Sequence, residues 1–426
     1  MDSFEWGNFC LIINIIIWLF TFIIFQYKTK YFGVGSGILL FYSIISLLAW
    51  GLYNETFSDA KITLFPFIYL YGMIILAAYP ILSIKERAIR NIIPPNPKLF
   101  KLVCIGIIAF SFVSLPNTII LIRENIFSII LDTTAGAELY SDKTAAMMTR
   151  QSSGINLIPI LGGVCGNIAI VFFMYYLTLE NRNKTILICL GISALIGPIS
   201  GIANGGRAGM AMFLLNSSFL FLFIRKFISP NLKKKVSRII VIAGIILLIP
   251  FFALSLSRNN GDQSKTLTMV ESYLSQGFLW FNTDALDPGG TREGDYTAVA
   301  FKYIAGLKPA MYYSGRINKY PHLKIDESVF YSFVGDFTLD YGPIAAVVIF
   351  IVTAIFFKKC LHHKNSSITF QQYLMFYLLM VGCLGYFQFP LGREDGNLVM
   401  IGLLTLALIF KLSSDFDLRK ITHRHE

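Results

Sequence analysis

Charge is what this 426-residue chain has least of. Asp, Glu, Lys and Arg together make up 14% of it, against 55% hydrophobic residues and a mean hydropathy of +0.63. So little polar surface excludes a soluble globular protein of this size. Histidine is scarce as well: His322, His362, His363, His423 and His425 are all there are. No His-Glu-x-x-His pair, P-loop or Gly-x-Ser-x-Gly elbow occurs, and nothing points to a nucleotide, flavin or haem. Six cysteines are present, without a Cys-x-x-Cys pair. Five (Cys10, Cys104, Cys165, Cys189 and Cys383) fall in apolar runs and Cys360 in a basic connection, so neither disulfides nor a thiolate metal site is expected. No cofactor is expected either.

What fills the chain instead is long apolar runs. A bilayer core of about 30 Å takes roughly 20 apolar residues per helix. By that ruler eleven spans are predicted: 8–25, 32–52, 62–84, 99–122, 155–178, 185–203, 208–228, 237–257, 343–358, 370–389 and 397–412. No small-residue cleavage site follows the first run, which reads as a retained helix rather than a signal peptide. Pro66, Pro116, Pro159, Pro198 and Pro250 lie in or near spans and are expected to kink them. The expected architecture is an all-α polytopic membrane protein. It comprises a bundle of about eight helices over 1–257, an outer loop over 258–342, three further helices over 343–412 and a tail over 413–426.

Lys and Arg set the orientation. With the N-terminus outside, the inner connections hold 22 of the 36 basic residues but only 5 of the 25 acids. The inner side then carries +17 and the outer side −6, within a net charge of +11. The C-terminus falls in the cytoplasm. A pI near 9.2 therefore reflects topology and does not indicate nucleic acid.

The 85-residue stretch from Arg258 to Gly342 is the one long connection, and it falls outside. It holds 8 basic and 10 acidic residues, so it is no simple phosphate-binding patch. Helical spacing is predicted over Thr266–Phe281, where Met269, Tyr273, Phe278 and Trp280 can be buried, and again over Thr297–Leu307. Between them Asp284–Asp295 is acidic and rich in turn formers, and Glu327–Phe337 is aromatic. Aromatic faces beside carboxylates suit sugars, which stack and hydrogen-bond. The same residues serve equally as loop core or interfacial anchors.

Seven of the fourteen arginines fall outside: Arg123, Arg150, Arg207, Arg258, Arg292, Arg316 and Arg393. Such positions run against the charge rule. Either the guanidiniums pair with outer acids and headgroups, or they grip phosphate in the two-pronged way that lysine cannot. Arg207 lies in the tight turn Asn204-Gly205-Gly206-Arg207-Ala208-Gly209, just ahead of a helix whose positive end faces the same place. A hairpin that merely needs small residues is the other reading. Arg393 sits in a predicted outer turn, Gly392-Arg393-Glu394-Asp395-Gly396, where its neighbours can neutralise it. Arg207, Arg258, Arg292, Arg316 and Arg393 are the candidate substrate-binding set.

Asp336 and Asp340 close the loop in Gly335-Asp336-Phe337-Thr338-Leu339-Asp340-Tyr341-Gly342. Four residues apart, they share a face if the segment is helical. A carboxylate there can take a proton from an attacking hydroxyl, or cap a helix, or pair with an outer arginine. At least one of the two is expected in a structural role. Both are the candidate catalytic residues.

With these features the chain resembles the Wzy-type O-antigen and oligosaccharide repeat-unit polymerases of bacterial inner membranes. The resemblance rests on the roughly eleven spans and the long outer loop before the last three. It rests also on the Gly205-Gly206-Arg207 turn and on Ser332-Phe333-Val334-Gly335-Asp336 through Asp340-Tyr341-Gly342. It covers nearly the whole chain in architecture and only short stretches in sequence. It implies a metal-independent glycosyltransferase of the inner membrane with its site facing the periplasm. Such an enzyme joins undecaprenyl-diphosphate-linked glycans en bloc to the incoming repeat unit, and a chain-length regulator is the implied partner. O-antigen ligases share the layout but resemble a pattern with a histidine about a dozen residues before Gly-x-x-Gly. Here Gly335 follows His322 by 13 residues and Thr338 stands where the second glycine belongs. A lipid-linked oligosaccharide flippase is the third reading; it should carry charges within its spans, and this chain scarcely does.

Overall fold

The computed structural model describes residues 3–126, 141, 157–238, 253, 255–256, 263–310, 312–362 and 366–422. Helix dominates them. In chain order the elements are α1 (Ser3–Thr29), α2 (Val34–Thr56), α3 (Leu64–Leu82), β1 (Asn91–Ile93), α4 (Pro97–Phe112), α5 (Leu115–Leu121), α6 (Leu157–Tyr176), α7 (Lys184–Ala203) and α8 (Ala208–Ile224). There follow α9 (Gln263–Asp284), α10 (Val299–Ile304), α11 (Tyr313–Lys319), α12 (Ser332–Tyr341), α13 (Pro343–Cys360), β2 (Ser367–Thr369), α14 (Phe370–Cys383) and α15 (Arg393–Thr422).

Seven helices among the described residues are long and apolar enough to cross a membrane: Ser3–Thr29, Val34–Thr56, Leu64–Ala88, Pro97–Asn125, Lys184–Ala203, Pro343–Cys360 and Arg393–Ser414. Three apolar helices are shorter, at Leu161–Tyr176, Ala208–Ile224 and Phe370–Cys383. The predicted span 237–257 falls almost wholly outside the described residues. Large apolar side chains stand outward on these helices, among them Ile16, Phe20 and Ile23 of α1 and Ile344, Val348 and Val352 of α13. Water does not tolerate so much exposed hydrocarbon, and lipid does. The chain is a membrane-embedded protein, and its described residues are predominantly helical.

The helices fall into two compact units. The first comprises residues 1–87, 264–362 and 379–397, the second 88–263, 363–378 and 398–426. In the first, α1 packs along α2, and α3 packs along α13. Lipid removes the hydrophobic drive between helices, so close fit and polar contacts hold them. Trp18 stacks on Tyr42 at 5.2 Å and meets Tyr71 edge-on at 4.9 Å. Asn14 donates to Ser46 Oγ at 2.7 Å, satisfying a buried amide across the α1–α2 seam. Glu86 accepts from the first backbone amides of α2, Val34 at 3.1 Å and Gly35 at 3.2 Å, placing a negative charge on the positive helix end.

In the second unit Phe100 sits among Phe172, Tyr175, Tyr176, Phe370 and Phe410, with ring centres 5.3–6.4 Å away. Phe223 stacks on Phe376 at 4.3 Å. The strands β1 and β2 pair in parallel, with Asn91 opposite Ser367 and Ile93 opposite Thr369.

Two boundaries differ from the sequence reading. The predicted span 370–389 stops as a helix at Cys383, because Gly385 turns the chain where a Cβ would lie 2.6 Å from Gln388 O and Pro390 follows. Residues 384–392 run back as an irregular segment. The predicted turn Gly392–Gly396 is instead the start of α15, whose first turn carries Glu394 and Asp395.

Candidate functional site

The turn formers of Asp284–Asp295 set the first geometry. Gly289, Glu293 and Gly294 all hold positive φ, at 79°, 54° and 81°. A Cβ on Gly294 would also meet the Tyr341 hydroxyl at 2.9 Å, so glycine is required there on two counts. The resulting tight bend delivers Arg292 inward, where its amide donates to Leu339 O at 2.8 Å.

Three carboxyls meet the Arg292 guanidinium. Its Nε donates to Asp340 Oδ1 at 2.8 Å, Nη1 to Glu327 Oε1 at 3.2 Å, and Nη2 to Asp336 Oδ1 at 3.3 Å. The segment is helical, so the four-residue spacing puts both aspartates of α12 against the same arginine. Arg316, on α11, donates to Glu327 Oε2 at 2.8 Å. Arg292 is only 3% exposed. Burial alone works against its charge, but Asp340, Glu327 and Asp336 together raise its pKa.

The two aspartates differ. Asp340, 1% exposed, accepts from Arg292 and, through Oδ2, from the amides of Tyr296 (3.2 Å) and Thr297 (2.7 Å) and the Thr297 hydroxyl (2.7 Å). Both oxygens are engaged, which is the geometry of an anchor. Asp336 accepts the Phe389 amide at 2.7 Å and has only the longer contact to Arg292. Burial pushes its carboxyl up to about 7, with Asp340 adding to the rise and Arg292 and the Phe389 amide opposing it. Glu327 moves the other way: burial raises it, but Arg292 and Arg316 outweigh that and hold it below the ordinary range. Two guanidiniums thus face three carboxyls, one of which titrates near neutrality.

The cage extends to both sides. Tyr296 lies under both guanidiniums, with carbons 5.2 Å (Arg292) and 5.3 Å (Arg316) from its ring centre. Its hydroxyl donates to Gln388 Oε1 at 2.9 Å, and its carbonyl accepts from the Arg393 amide at 2.6 Å. Beside it Asp295 accepts from Lys319 (2.8 Å), Tyr320 (2.9 Å), the Ala310 amide (2.8 Å) and Lys302. Burial raises Asp295, but these donors outweigh it and hold the carboxyl below its usual value. The predicted loop aromatics are mostly core: Phe278, Phe281, Tyr331 and Phe333 are buried, and Tyr273, Phe330 and Phe387 pack at 5.1–5.4 Å.

The other candidates are placed as follows. Arg393 opens α15 at φ 59°, exposed, with no ion pair among the described residues. Arg207 is in the second unit, buried at the N-cap of α8, and donates to Ser255 Oγ at 3.0 Å. Arg258 lies outside the described residues. His322 packs over the Gly289–Gly290 turn, its Nε2 2.7 Å from where a Gly290 Cβ would be.

Sequence reasoning did not single out Tyr296, Thr297, Gln388, Phe389 or Asn397. Asn397 was detectable as a lone amide at the start of an apolar run; it donates to Thr297 O at 2.8 Å and Leu391 O at 2.7 Å. The backbone amide of Phe389 leaves no mark in a sequence. No protein-family model, curated protein or solved structure matches this chain.

Proposed function

We propose that the chain is a surface-polysaccharide polymerase of the bacterial inner membrane, with eleven spans and its loop 258–342 in the periplasm. It joins undecaprenyl-diphosphate-linked repeat units by en bloc glycosyl transfer. The observation that carries the reading is Asp336, a carboxyl raised toward neutrality in an arginine-rich cage at the ends of α13 and α15.

In the reaction an acceptor hydroxyl forms a new bond to the anomeric carbon while the bond from that carbon to the lipid diphosphate breaks. The hydroxyl proton needs a base, and a group titrating near 7 suits that task. Asp336 is the better placed of the two aspartates, since Asp340 is committed to the fold. The departing diphosphate gains charge and needs cations. Arg393, exposed, is assigned to it; Arg207, at a helix N-terminus of the second unit, is by itself a further diphosphate-binding candidate. Arg292 and Arg316 are assigned to holding the loop. Positioning two glycans supplies much of the rate.

Gene deletion followed by a glycolipid gel tests the reading. A polymerase deletion leaves single-repeat material on lipid A; bare lipid A core with accumulated lipid-linked polymer indicates a ligase. Unchanged glycolipids sink the transferase assignment altogether.

A further inference from the structure

Residues 299–308 break the rule that a loop in water hides its apolar groups. Val299 and Ala300 are buried, but Phe301, Tyr303, Ile304 and Leu307 are exposed, Ile304 by 75% and Leu307 by 55%. The C-terminus of α10 is closed so as to present them. Gly306, at φ 76°, donates to Tyr303 O at 2.9 Å, and the Leu307 amide donates to Lys302 O at 2.9 Å. That paired closure uses a left-handed glycine to reverse the chain and leaves Leu307, like Ile304, exposed.

The depth of this segment is fixed by two spans. The Ala300 amide donates to Asn397 Oδ1 at 3.0 Å, and Asn397 lies four residues into α15, roughly 6 Å along its axis. Just upstream, the Thr297 hydroxyl is 3.0 Å from that of Tyr341, two residues before α13 begins at Pro343. The chain from Thr297 to Ala300 is therefore held level with the ends of two membrane-crossing helices, and α10 starts there. A short apolar segment at that height, with tyrosine among its exposed residues and Lys308 at its edge, has the composition of an interfacial anchor.

We propose that α10 and the turn to Lys308 dock into the headgroup and upper acyl region of the lipid leaflet at this end of the spans. The occupant of this apolar face is lipid, continuous with the lipid that coats α13 and α15. Lys302 is drawn back to Asp295 while Lys308 stays at the surface, so the face entering lipid is free of charge. The loop is then fastened at a second place, independent of the Arg292 cage, and the inference does not rest on the transferase reading.

Nitroxide labels at Ile304→Cys and Leu307→Cys, in the full chain in lipid nanodiscs, test this against a reference label at Ser328→Cys, an exposed loop position. Label taken up by the native cysteines is measured on the parent chain and subtracted. Accessibility to oxygen relative to a water-soluble nickel chelate should rise several-fold at both positions over Ser328. Ratios equal to that of Ser328 overturn the proposal. Shielding from both reagents also overturns it, because protein or a second copy then covers the face. A lipid-like ratio at Ser328 as well removes the contrast and overturns it too.

Discussion

A single guanidinium surrounded by acid is a different object from a guanidinium waiting for phosphate. Arg292 is buried with three carboxyls around it, so its removal leaves buried carboxylates uncompensated. Breaking such a pair costs about 3–5 kcal/mol. Arg292→Ala should therefore lower the yield of folded protein and open residues 284–342 to limited proteolysis, and Arg292→Lys should rescue little, lacking the fork that reaches three partners. Arg393→Ala, exposed and without an ion pair among the described residues, should leave proteolysis unchanged. Asp336 makes a prediction with a definite sign. Its folded pKa is about 7, above the ordinary 3.8. The folded state therefore holds a proton that the unfolded state has lost, and stability falls as pH rises between those values. The slope approaches about 1.4 kcal/mol per unit if Asp336 acts alone. Thermal unfolding in detergent at pH 5 and pH 8 measures it. Asp336→Asn, which keeps the shape without the titration, should flatten the difference; an unchanged slope places the titration elsewhere.

Elements were legible to the degree that one period ruled them. Helices such as α1, α2, α7 and α13 follow from apolar length, whereas the spacing of Asp336 and Asp340 left the helicity of α12 open. The irregular return of residues 384–392 was not legible, because Phe387 and Phe389 continue the apolar composition of α14. Only Gly385 and Pro390 signal the break, and either residue also occurs within helices. The Arg292 cage was half legible. Its arginine and aspartates were visible as candidates, but the assignment of Arg292 to a clasp depends on Glu327, 35 residues away in sequence, and on backbone amides. At this scale the bend at Gly294 is the weak point. Gly294→Ala combines a positive φ with a contact to the Tyr341 hydroxyl, so it should lower the melting temperature by several degrees. A change there larger than that from Gly72→Ala, where a Cβ meets nothing, checks the argument.

For the whole molecule, class came from counting, and chemistry did not. Long apolar runs suffice to mark a membrane protein. Any chemistry depends on which charged groups stay available after folding, and that is set by pairing over tens of residues. If the proposed polymerase function holds, Arg207→Ala should collapse glycan chains to single repeats on lipid A, with protein level unchanged on an immunoblot. Chains of normal length in that variant remove Arg207 from diphosphate binding.

The cage around Arg292 also imposes a timetable. A chain is made from its N-terminus, so Arg292 is synthesised before any of its carboxyl partners. Glu327, Asp336 and Asp340 arrive 35 to 48 residues later, the Phe389 amide later still, and Asn397, which Thr297 and Ala300 need, a hundred residues after Thr297. Until the start of α15 is made, Thr297 and Ala300 lack their Asn397 partner and the segment cannot reach its final packing. The start of α15 thus completes the packing of a segment made about a hundred residues earlier, and a chain terminated after α14 should leave residues 284–342 open to protease.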